Sequence, residues 1–347
     1  MESQKEFSEL NYNSSILEKV LYVGSVHPES TSFARYEALK KRASFIDLID
    51  TKTPQSLLFK MKLKFFKGRG LNFDAQLNKK MNKKYSMIWV DKPIVFSEET
   101  LKNIKKNSNI KLIAHITDDI KTVSVHYQKI VKILELFDYV FTPNKFNIEE
   151  LPNINFIYNE LGYDHKLYKF SNKEYKYRND IISFVGHYEP EYERKILEIA
   201  ERLSKAKSKF IISISGSGWW RSYKTLFHKK IKVKFGWVSI EKLQNHYLNS
   251  KICIGLYSTL NRNKTSGRIY ELAVLGVPII TEGNEIITSE LNGNFIDLKS
   301  TQNSDDFKKI IYDNKYLNLI RLGAYDSVIK SKCSWDDRIY DALTKIK

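Results

Sequence analysis

The chain has 347 residues, 42% of them apolar, enough for two domains that each bury a core of their own. No uninterrupted apolar run of ~18 residues occurs, which argues against a membrane-spanning helix, and the opening stretch MESQKEFSELNYNSS lacks the apolar centre of a secretion signal. Lysine and arginine exceed aspartate and glutamate by 57 − 40 = 17, a surplus that favours polyanionic partners: nucleic acid, acidic lipid headgroups or phosphorylated substrates.

In chain order, KVLYVGSV (19–26) is a short apolar run ending near a glycine, as a buried parallel strand feeding a loop should be. TSFARYEALKKRA (31–43) has helical spacing, and SFIDLIDT (44–51) reads as a second strand. Residues 52–84 carry ten basic residues and one acidic residue, Asp74. Their centre, LLFKMKLKFFKGRG, puts Leu58, Met61 and Phe65 on one side of a helix and Lys60, Lys64 and Lys67 on another. That pattern suits either a helix lying on an anionic membrane or an ordinary solvated amphipathic helix.

YSMIWVDKP (85–93) reads as a third strand, and SEETLKNIKKN (97–107) as a helix capped by Ser97. IKLIAHITDD (110–119) and FDYVFTPN (137–144) are the next strands, the first ending in two carboxylates. Regularity lapses over 150–179 and restarts at DIISFVGHYEPEYERKILEIAERL (180–203) as strand, glycine loop and helix. KFIISISGSGWW (209–220) is a strand running into a glycine-rich loop, and 231–258 gives strand, helix and strand. TSGRIYELAVLG and VPIITEG follow as helix and strand.

Such alternation predicts an α/β protein of two Rossmann-like domains facing across a cleft, with ligands outside the carboxyl ends of the strands. The expected division is 1–160, a connection over 161–179, a second domain over 180–330, and a C-terminal helix within 331–347 that packs back toward the first domain. Cys253 and Cys333 make no metal-ligand spacing, and Cys253 suits a small buried side chain, so a reducing cytoplasmic setting is expected.

Six stretches in order, LYVGSVHPESTSFARYEAL, WVDKPIVFSEETLKNIK, HITDD with FDYVFTPN, ISFVGHYEPEYER, SGSGWW and TSGRIYELAVLGVPIITE, resemble GT-B glycosyltransferases, and more narrowly the bacterial group related to the spore-maturation protein CgeB. The resemblance covers residues 19–283 and implies transfer of a sugar from a nucleotide-sugar donor to a glycan or lipid-linked glycan. It further implies a role in cell-surface polysaccharide synthesis (lipopolysaccharide or capsule), on the inner face of the cell membrane. The anionic surface there would be met through residues 52–84.

Donor chemistry explains the hydroxyl- and charge-rich run before that last helix. Negative charge grows on the leaving diphosphate, and without a metal it needs cations and helix amides. Lys264, Thr265, Ser266 and Arg268 supply them at a helix start. Glu271, three residues on, is placed to accept from ribose hydroxyls, and it matches the family's ribose-binding glutamate. A capped helix with a surface Arg–Glu pair is the plainer alternative. Gly186 would let backbone approach a phosphate, Arg194 would offer a second cation or merely cover its helix, and Gly216 and Gly218 would shape the loop whose Trp219 borders the base. Either Trp219 or Trp220 is equally suited to core. Asn263 stands where many GT-B enzymes have a second glutamate, eight residues before Glu271.

Candidate bases for the acceptor hydroxyl are His27 and Glu29 after the first strand, and Asp118 and Asp119 after the fourth. The two aspartates serve equally well as helix caps. They are adjacent rather than spaced as Asp-x-Asp, so no metal cofactor is expected. A nucleotide-sugar epimerase of the same fold and a non-catalytic glycan-binding module are the alternatives. No nucleic-acid-reading module is recognisable, and nucleic acid is not an expected partner.

Overall fold

The computed structural model describes residues 17–51, 73–93, 96–123, 127–171, 178–236 and 239–346. The expected amphipathic face at Leu58, Met61 and Phe65 lies outside them. Contacts divide the chain into one unit of Met1–Glu160 with Ile339–Lys347, and a second of Leu161–Arg338.

The first unit runs β1 (Leu17–Gly24), α1 (Thr31–Lys40), β2 (Ala43–Asp50), α2 (Phe73–Lys80), β3 (Met87–Asp91), α3 (Glu98–Asn107), β4 (Lys111–His115), α4 (Ile120–Val123), α5 (Tyr127–Leu134), β5 (Tyr139–Thr142), α6 (Lys145–Glu150) and β6 (Phe156–Tyr158). The strands form one parallel sheet in the order β2-β1-β3-β4-β5-β6. β3 is buried along its whole length, which is why its sequence MIWVD shows no alternation. Ser30 and Ser97 cap α1 and α3 by accepting from Phe33 N (3.1 Å) and Thr100 N (3.2 Å). Strand order reverses beside β1, because β2 lies on one side of it and β3 on the other.

The second unit runs β7 (Asn179–Val185), α7 (Pro190–Lys205), β8 (Ile211–Gly216), α8 (Tyr223–Leu226), β9 (Ile231–Phe235), α9 (Ile240–Leu248), β10 (Ser250–Ile254), α10 (Gly267–Val274), β11 (Ile279–Thr281), α11 (Glu285–Glu290), β12 (Ile296–Asp297), α12 (Ser304–Tyr312) and α13 (Asn314–Lys330). Its parallel sheet has the order β12-β11-β10-β7-β8-β9. That is the doubly wound arrangement, and its switch point lies between β7 and β10, where ligands of such sheets bind.

One part of the chain differs from the expected division. Within 161–171, read above as a connection, Tyr163 and Tyr168 are buried in the second unit's core. The last helix, α14 (Trp335–Thr344), carries the chain into the first unit, where Ile339, Ala342, Leu343 and Ile346 pack with Val20, Tyr22, Leu39 and Trp89. β6 was not legible in sequence, since its three residues are all only partly buried and show no period.

Candidate functional site

At the switch point of the second unit, α10 presents its first turn to the carboxyl end of β7. Ser266 is the N-cap, and its hydroxyl accepts from the Arg268 backbone N–H (3.3 Å). The Arg268 side chain then turns onto the central strand. Its Nη1 donates to the Val185 carbonyl (2.5 Å) and to the Tyr247 hydroxyl (2.6 Å), which uses both hydrogens of that nitrogen. Nε and Nη2 bind no described residue. Half of the guanidinium fork is thus anchored and half is left for an anion, the geometry suited to a diphosphate.

Glu271 lies one turn on, half-buried. Burial pushes its carboxyl above the ordinary carboxylate range, while Arg268 and a hydrogen bond from the Tyr168 hydroxyl oppose that rise. Thr265 is buried, and Lys264 is exposed, with its carbonyl accepting from Asn284 Nδ2 (2.6 Å). Asn284 also caps α11, so the loops after β10 and β11 are tied together.

The glycine loops are organised differently from the sequence reading. Gly186 N–H donates to Ser215 O (3.0 Å), and Tyr188 N–H to Ser217 O (2.9 Å), so the pairing of β7 with β8 continues into the loops beyond them. The Gly186 amide is therefore committed and is not free for a phosphate. A Cβ on Gly186 would come within 2.8 Å of the Phe184 ring. Gly216 has φ +150, and a Cβ there would lie 2.0 Å from the Gly186 carbonyl oxygen, so this close approach admits only glycine. Gly218, at φ +82, turns the chain into the 3-10 turn Trp219–Arg221.

Trp219 does not border a base. It is fully buried, its Nε1 donates to Gly186 O (2.9 Å), and its ring meets Phe184 and Tyr188 edge-on. Trp220 is the exposed one of the pair. Arg194 is likewise a correction: its guanidinium is exposed and holds Glu191 and Glu198 on its own helix. The inward cation is the next residue. Lys195 is 2% exposed, reaches Glu282 after β11 (2.5 Å) and sits over the Tyr257 ring. The sequence held that signal, because Tyr192, Lys195, Ile196, Ile199 and Leu203 share the buried stripe of α7. Tyr168 and Tyr247 gave none, since they meet Glu271 and Arg268 only through tertiary packing.

In the first unit, Asp119 is buried and caps α4, accepting from Lys121 N (3.0 Å) and Thr122 N (3.3 Å). That is the cap role, and it removes Asp119 from the candidate bases. Asp118 is half-buried in the same loop, and its carbonyl accepts from Asn147 Nδ2 (3.0 Å). His27 is exposed and Glu29 half-buried, and His27 Nδ1 accepts from the Glu29 backbone N–H (3.3 Å). β3 separates the strand before His27 from the strand before Asp118, so their loops start about 10 Å apart. Between them lies a group that sequence reasoning missed. Asp91 accepts from Arg35 Nε (3.0 Å) and Nη2 (2.7 Å), Tyr22 Oη (2.9 Å) and Trp89 Nε1 (3.1 Å), all buried. Burial, the largest single influence, works against the charged carboxylate, but the Arg35 charge together with the smaller effects of His115 and of hydrogen bonds from Arg35 and Ser32 holds Asp91 below its ordinary value. His115 stacks on Trp89, and burial pushes it down to about 3.

No group of three or more His, Cys, Asp or Glu side chains fit to hold a metal occurs among the described residues. No protein-family model matches the sequence, and no curated protein matches it. Solved structures do match in fold. HepE of Anabaena, in complex with UDP and glucose, aligns over 95% of this chain and 99% of its own, at TM-score 0.61 and 14% identity. A glycosyltransferase from Rickettsia africae aligns over 96% and 98%, at 0.59 and 15%. An alpha-glucosyltransferase in complex with UDP and a DNA 13-mer aligns over 94% and 100%, at 0.59 and 11%. The two six-stranded parallel sheets are the GT-B glycosyltransferase fold.

Proposed function

We propose that the chain is a nucleotide-sugar-dependent glycosyltransferase whose donor binds at the switch point of the second unit. One observation carries the reading: Arg268 is fixed by Val185 and Tyr247 with half its fork open, one turn from a carboxylate that can accept from ribose. In this reading Arg268 and the first turn of α10 stabilise the charge that develops on the leaving diphosphate. Glu271 orients the nucleoside, with Tyr168 holding the carboxylate in place. Lys195 is the second cation near the donor, in exchange for Glu282. UDP is the first nucleotide to test, because it occupies the HepE and alpha-glucosyltransferase structures.

The base for the acceptor hydroxyl comes from His27, Glu29 or Asp118 in this scheme, each in a loop after a carboxyl strand end of the first sheet. The reaction needs no metal. The acceptor is a glycan or lipid-linked glycan of the bacterial cell surface, in keeping with the CgeB-like motifs, and the enzyme works at the inner face of the membrane. Calorimetric titration with UDP and UDP-sugars tests the donor site. Saturable binding of the diphosphate is expected, and no binding of any nucleoside diphosphate would overturn the reading.

A further inference from the structure

Residues 202–240 hold ten basic residues and no acidic one. Within that run four large aromatic side chains are open to solvent: Trp220 (67%), Tyr223 (67%), Phe227 (87%) and Phe235 (59%). They belong to the 3-10 turn, to α8 and the residue after it, and to the end of β9. The turn and α8 both pack against β9, which is the outer strand of its sheet. The aromatic rings therefore gather at one edge of the second sheet. Arg221, Lys224, Lys229, Lys232 and Lys234 are exposed along the same segment, and none forms an ion pair with a described residue.

Lysines on an outer strand block edge-to-edge pairing, which accounts for Lys232 and Lys234. It does not account for Trp220, Tyr223 and Phe227, which leave large apolar area in water beside a Trp219 that is fully buried. We propose that this edge docks on an anionic lipid bilayer. Unpaired cations meet the negative headgroup layer. Tryptophan and tyrosine are amphipathic rings suited to the interface, and Phe227 supplies the apolar insertion. Single-stranded nucleic acid has the same charge and stacks on aromatic faces. However, the Arg221 guanidinium already lies 5.3 Å from the Trp220 centroid, so one stacking face is taken. The inference is independent of the transferase reading, since neither donor nor acceptor enters it.

The test uses the full chain with Lys60, Lys62, Lys64 and Lys67 changed to Gln, which removes the charge of the other basic segment. This protein should sediment with phosphatidylglycerol–phosphatidylcholine vesicles at low salt, less at high salt, and little with phosphatidylcholine alone. Adding Trp220→Ala, Tyr223→Ala and Phe227→Ala should weaken vesicle binding about tenfold or more, with an unchanged melting temperature. Brominated lipid should quench tryptophan fluorescence on binding, and Trp220→Phe should lose most of that quenching while still binding. Failure of the parent to sediment, equal sedimentation of the triple variant, or unaltered quenching in Trp220→Phe would overturn the proposal. So would tighter binding to an oligo-dT strand than to vesicles, lost in the same triple variant.

Discussion

The placing of Arg268 and Glu271 one turn apart on α10 sets two residue-scale expectations. On the proposed donor reading, Glu271→Ala removes the acceptor for ribose hydroxyls and leaves them unpaired, at about 1–3 kcal/mol, so UDP affinity by calorimetry should fall about 5- to 150-fold. The same carboxyl has a raised pKa because it is buried. UDP binding should therefore be flat at neutral pH and weaken on acidification, starting above the pH of an ordinary glutamate, as protonation removes an acceptor. Glu271→Gln should erase that acid limb, and a limb that survives the substitution belongs to another group. The arginine and glutamate were legible in the sequence because a cap, a cation and a carboxylate fall within one helical turn. Arg194 and Lys195 are both cations on one helix, and the burial stripe is what tells which faces inward.

At the scale of elements, each unit holds its candidate loops with a different device. In the second unit the extension of β7–β8 pairing through Gly186 and Gly216 fixes the loops above the sheet. Gly216→Ala would force a methyl to 2.0 Å from a backbone carbonyl at positive φ. It should cost about 2–4 kcal/mol in denaturant unfolding, a sum of strain and overpacking. In the first unit the device is the buried Arg35–Asp91 pair (2.7 Å), which ties α1 to β3. Arg35→Met leaves Asp91 charged and buried, and should destabilise by about 3–5 kcal/mol. The double change Arg35→Met with Asp91→Leu should cost less than the single one, because no uncompensated charge remains. Equal losses in the two variants would show that packing, not charge, governs the site. Asp91 also fixes the sign with pH: its folded pKa lies below the unfolded one, so its contribution is present at neutral pH and is lost as pH falls through the folded value.

For the molecule as a whole, the last helix completes the first unit's core. Ending the chain at Arg338 removes the buried Ile339, Ala342, Leu343 and Ile346. Three large apolar side chains are worth about 1.5–3 kcal/mol each, so the loss is comparable to a domain's entire stability. Limited proteolysis should then digest the first unit, while a fragment within 161–338 keeps its UDP binding; a protease-resistant first unit would contradict this. Turnover should also persist in EDTA, because the proposed donor charge is met by Arg268, Lys195 and helix amides; loss restored by a divalent ion would show otherwise. The sequence by itself determined the alternation of strands and helices, hence the two parallel sheets, the cap at Ser97, the helix start at Ser266, and the placing of Arg268 and Glu271 on one turn. These are local matters of period, propensity and capping. Tertiary structure alone decided which of Trp219 and Trp220 is core. It also brought Tyr168 to Glu271 and Tyr247 to Arg268, and chose the core residues that Ile339, Leu343 and Ile346 pack against. Those outcomes depend on contacts between chain segments far apart in sequence, and no local pattern encodes them.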